Sequence, residues 1–137
     1  MMTKTSTGTD SSAIDAYINA LPAPLGAQIT TLRHLLLALT PPPGAPAVAE
    51  QIKWHAPSFY CRDHFATIGP TPDKQLQLIL HCGAKKRQPR WQVRLVNPPG
   101  FLRVAASDRV VLTLNADLDL SSLRPLLQSW LDQQPAD

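Results

Sequence analysis

Pro41-Pro42-Pro43-Gly44 divides the chain into a shorter and a longer part that follow different hydrophobic rhythms. No helix continues through three prolines, because each lacks an amide hydrogen and its ring disfavours helical geometry in the residue before it. On the N-terminal side apolar residues recur about every fourth position. Ile14, Tyr17, Ile18 and Leu21 share one helical face, with Ser11 or Ser12 as the cap. Leu25, Ile29, Leu32, Leu36 and Leu39 form a second helical stripe, which Pro24 can open because first-turn amides need no intrahelical partner. On this spacing Arg33 falls on the solvated side.

Beyond Gly44 the period shortens towards two, the repeat of a pleated strand. Glu50 to Trp54 and Ser58 to Cys61 read as short strands interrupted by Pro57, and His64 to Ile68 follows across a turn at Arg62-Asp63. Gln75 to His81 alternates cleanly, placing Leu76, Leu78 and Leu80 on one face. Phe101 to Ala105 and Arg109 to Leu114 read as a hairpin. Leu123, Leu126, Leu127, Trp130 and Leu131 make a final helical stripe, with Ser121 or Ser122 as its cap. Helices first, strands next and one closing helix predict an α+β fold: an antiparallel sheet of about five to six strands carrying two N-terminal helices and one C-terminal helix.

At 137 residues the chain has the size of one domain. The expected organisation is a disordered tail over 1–10, a single domain over 11–133 with a loop at 83–100, and a frayed end at 134–137. No apolar run reaches the ~18 residues of a membrane span, and the Thr-rich start lacks a signal-peptide core, so the expected compartment is the cytoplasm without membrane attachment. Two cysteines, Cys61 and Cys82, are too few for a disulfide scaffold.

Charge is concentrated. Lys85, Lys86, Arg87, Arg90 and Arg94 supply five of the thirteen basic residues, and without them the chain carries eight basic against ten acidic residues. The net charge of +3 therefore belongs to one segment, 85–94, which also holds Trp91. Five cations and an aromatic ring could follow a phosphate backbone and stack a base, or engage an acidic protein partner or an anionic small molecule. A solvated loop is the simpler expectation, since the broad basic face and the motifs of nucleic-acid modules are missing.

Cys61, His64 and His81 are the candidate metal ligands, with zinc or iron as the ion. Adjacent strand residues such as His81 and Cys82 face opposite ways, so at most three ligands converge, and the paired Cys-x-x-Cys spacing is absent. With no such pairing, no cofactor is the primary expectation. Ser58, His81 and Asp108 could be assembled into a hydrolase triad on paper, but no Gly-x-Ser-x-Gly elbow accompanies them, and neither glycine-rich phosphate motif occurs.

The segment Ile52-Lys53-Trp54-His55-Ala56-Pro57-Ser58-Phe59-Tyr60, with Phe65-Ala66-Thr67-Ile68 after it, resembles the YdhG-like family of small bacterial domains. The likeness extends over roughly residues 11 to 133, through the paired helices before the motif and the Leu-rich helix at the end. It implies helices on a curved antiparallel sheet, and a frataxin-like iron role is attached to parts of that family. The acidic ridge of a frataxin-type site is missing here: the first two helices offer Asp15 and at most Asp10, and no Glu, while hard iron ions favour oxygen ligands. The expected function is therefore a non-enzymatic binding or accessory domain, with Trp54, His55, Ser58 and Tyr60 as the wall of its ligand cleft. Metal binding, or anionic-partner binding through 85–94, is the alternative.

Overall fold

The computed structural model describes residues 11–71, 73, 75–81, 101–106, 109–114 and 119–134. Two helices, α1 (Ser11–Asn19) and α2 (Ala23–Leu37), precede four strands, β1 (Ala49–Lys53), β2 (Ala56–Cys61), β3 (Asp63–Pro70) and β4 (Leu76–Leu80). Strands β5 (Leu102–Ala106) and β6 (Arg109–Leu114) and a closing helix α3 (Arg124–Asp132) complete the order. The strands form one antiparallel six-stranded sheet in the order β1-β2-β3-β4-β6-β5. This is the α+β arrangement expected from the sequence. Among the described residues no helix is long and apolar enough to cross a membrane.

The alternation in β4 does what its period requires. Leu76, Leu78 and Leu80 are fully buried on the face that receives the helices, where they meet Phe59, Ile68 and Leu112. From the helix side come Leu25, Ile29, Leu32 and Leu36 of α2 and Leu127, Trp130 and Leu131 of α3. Each such side chain contributes about 1.5–3 kcal/mol relative to exposure. Helices α1 and α2 meet closely at Gly26, where a Cβ would come within 3.2 Å of Ile18 Cγ2 and of its carbonyl oxygen. Helix α3 is tied down twice more. Trp130 Nε1 donates to the His81 carbonyl at 3.0 Å, and the Gln128 amide both accepts from the Thr40 amide and donates to its carbonyl.

Four local readings change. Arg33 is not on a solvated face: its side chain is largely buried, donating to both oxygens of Glu50 at 2.8 and 2.7 Å and to Asp15 at 2.7 Å. Ser11 spends its hydroxyl on the same Glu50 carboxylate, at 2.7 Å. The cap of the C-terminal helical segment is Asp119, whose carboxylate accepts from the amide and the hydroxyl of Ser121; a 3-10 turn over Leu120–Leu123 then leads into α3. Finally, the chain reverses at Trp54-His55 and Pro57 lies within β2, paired with Ile52. Counted from the closing pair Lys53↔Ala56, Ile52↔Pro57 is the kind of antiparallel pair that exchanges no hydrogen bonds, so the missing proline amide costs that ladder nothing.

Candidate functional site

The helices cover one face of the sheet, and the other carries an unusual density of polar side chains. Regular alternation would place His64 and Thr67, three residues apart, on opposite faces. The register corrects this: Phe59 pairs with Ala66 but Tyr60 pairs with His64, which leaves Phe65 as an extra residue in β3. That bulge lets Phe65 and Ala66 both turn into the core, 1% and 0% exposed, and returns His64 to the same face as Thr67. Ser58, across from Thr67 on β2, joins them.

A chain of hydrogen bonds follows. The Gln51 amide oxygen lies 2.9 Å from His64 Nε2, and the Ser58 hydroxyl lies 2.6 Å from His64 Nδ1. An amide oxygen only accepts, so Nε2 carries the ring hydrogen and Nδ1 accepts from Ser58. Ser58 Oγ is also 3.3 Å from Thr67 Oγ1, which lies 2.9 Å from His81 Nε2. Four strands, β1 to β4, are thus stitched by Gln51, Ser58, His64 and Thr67, with His81 at the end of β4.

Trp54 stands over this seam. Its ring meets His64 edge-on at 5.5 Å and His81 at 5.8 Å, while Tyr60 covers His64 from another side at 4.9 Å. The tryptophan is nevertheless 50% exposed. It occupies a two-residue hairpin turn in which both Trp54 and His55 have positive φ, 54° and 62°. Such a turn favours Asn-Gly, so two bulky residues there store strain of order 1 kcal/mol or more apiece. Lys53 Nζ lies 4.9 Å from the Trp54 ring centroid.

Beside Trp54 opens a cleft of about 550 Å³, within the range of small-molecule sites. Its polar walls are Thr67, Gln77, His81 and Arg109, and its floor includes Gly69. Gly69 is the last residue but one of β3, and a Cβ added to it would meet nothing within 4 Å. The space in front of it is open.

The residues expected from the sequence divide accordingly. Trp54 lines the cleft, Ser58 and Tyr60 lie in or against the hydrogen-bonded seam behind it, and His55 is exposed on the turn. His64 and His81 share the polar face, whereas Cys61 points into the core, where its thiol donates to the Pro46 carbonyl at 3.2 Å. The expected trio of Cys61, His64 and His81 is therefore not brought together, and among the described residues no group of three metal-ligating side chains occurs. Burial pushes the Cys61 thiol above its ordinary range, with Arg62 opposing weakly. The basic residues Lys85, Lys86, Arg87, Arg90 and Arg94, together with Trp91, lie outside the described residues, as do Cys82 and Asp108. Thr67, Gly69, Gln77 and Arg109 were missed by sequence reasoning. A glycine near the end of a strand, Gly69, was the available signal for the cleft.

Ser58, His64 and Gln51 share the connectivity of a nucleophile, a base and an orienting group. Two observations separate them from catalysis. Ser58 is 0% exposed, so no carbonyl carbon reaches its oxygen. Burial and the nearby Lys53 cation lower the His64 pKa to about 4, with Asp63 opposing, so the ring is a poor proton acceptor at neutral pH. A fluorophosphonate probe is accordingly expected to leave Ser58 unmodified, read by mass spectrometry of the digested protein; stoichiometric labelling of Ser58 would contradict this reading.

No protein-family model, curated protein or solved structure matches the chain.

Proposed function

We propose that this chain is a small-ligand-binding module, non-enzymatic and of the YdhG-like kind, whose site is the cleft between Trp54 and Arg109. The observation that carries the reading is the open position at Gly69, near the end of β3, in a cleft also lined by a half-exposed tryptophan held on a strained turn. A tryptophan outside the core gains little stability by sitting there, yet the turn places its indole in the wall of the cleft. The hydrogen-bonded seam behind it fixes the position of that wall without offering a reactive group.

The test fills the floor. Gly69→Val adds a branched side chain into free space at a strand position that suits it, so the variant is expected to fold with an unfolding midpoint at or above that of the parent. Two probes, 2-naphthamide and 2-naphthoate, are titrated while the Trp54 indole N–H is followed by nuclear magnetic resonance. At least one is expected to shift that signal in the parent and neither in Gly69→Val. Shifts of equal size in both proteins, or none in the parent, would overturn the assignment.

A further inference from the structure

We infer that the cleft is selective for a planar aromatic ligand bearing a single carboxylate, with Arg109 as the residue that recognises the charge. This rests on the cleft reading above and names the class of molecule it takes. The β4·β6 register pairs Leu80 with Val110. One step further along both strands brings Arg109 opposite His81, at the end of the cleft that Trp54 overhangs.

Among the described residues Arg109 has no ion pair, and no carboxylate lines the cleft. A guanidinium left in this way presents a fork of donors matched to a carboxylate. The contrast with Arg33 is instructive, because Arg33 has its fork filled by Glu50. One guanidinium in the lining matches one anionic group; a phosphate ester or a dianion would leave charge uncompensated against Ile79, Pro70 and Ala56. Those apolar walls, with the Trp54 indole among them, suit a flat ring. Thr67 and Gln77 can accept or donate at its edge.

The experiment compares 2-naphthoate with 2-naphthamide, which share shape and differ in charge, in the parent, in Arg109→Gln and in Gly69→Val. In the parent the acid is expected to bind about tenfold or more tightly than the amide. Arg109→Gln should bring the acid down to the affinity of the amide and leave the amide unchanged, while Gly69→Val removes both. Equal affinities in the parent, or a preference for the acid that survives Arg109→Gln, would overturn the ligand class while leaving the cleft as the site. Loss of neither probe in Gly69→Val, or no binding of either to the parent, would remove the site and this inference with it.

Discussion

Replacing Arg33 with Met is expected to cost about 3–5 kcal/mol of folding stability, the characteristic penalty for stripping one partner from a buried ion pair. Glu50 is 1% exposed at the edge strand β1, and three of the hydrogen bonds to its carboxylate come from Arg33 and Ser11. Those bonds make Arg33 harder to deprotonate than an isolated guanidinium, the Glu50 hydrogen bond being the largest cause. The bond to the exposed Asp15 adds little by comparison. Once Arg33 is gone, Ser11 alone among these groups faces the buried carboxylate. Urea unfolding should show a lower midpoint with an unchanged slope. The double variant Arg33→Met with Glu50→Leu should recover most of the loss, since an apolar pair of similar volume carries no desolvated charge. A single-variant cost below ~1 kcal/mol would mean that the pair is solvated and the helices are held by apolar packing alone.

The second large effect is set by pH and centres on His64. In the folded protein its pKa falls from the ordinary 6.5 to about 4, because burial and then Lys53 disfavour the cation. The unfolded chain therefore binds more protons between those values, and stability rises with pH across that window. The contribution of neutral His64 is complete above about pH 6.5, is lost as pH falls towards 4, and changes no further below that. A fully sealed ring would account for ~3 kcal/mol; beside the half-exposed Trp54 roughly 2 kcal/mol is the expected loss. His64→Gln should flatten the profile in that window, since Gln has no proton to gain. An unchanged acid limb in this variant would place the titrating group elsewhere.

The elements themselves could be read from the sequence because helix and strand periods are local properties, and Leu76-Gln77-Leu78-Ile79-Leu80 states its own face. The site could not be read in the same way. His64 and Thr67 are three residues apart, and only the pairing of Phe59 with Ala66 and of Tyr60 with His64 reveals that they share a face. A bulge is decided between two strands, so neither strand announces it alone. Arg33 was misplaced for a related reason: four residues after Ile29 and three before Leu36 it lies on the flank of the leucine stripe, and the partner that draws it inward, Glu50, belongs to a strand seventeen residues later. Pro57 was taken as an interruption because proline has no amide to donate, whereas its register position against Ile52 needs none. The cleft depended on a glycine whose meaning appears only when its neighbours across the sheet are known.

Among the described residues strand β5 ends the sheet, and its pairing with β6 slips between Val104 and Ala106. Val104 is 65% exposed on this outermost strand. A foreign β-segment approaching from that side would find the spacing of donors and acceptors thrown out of step partway along, after only a short regular stretch. Such an irregular border is a poorer template for fibrillar growth than a regular one would be, which offsets the exposure of Val104 among the described residues.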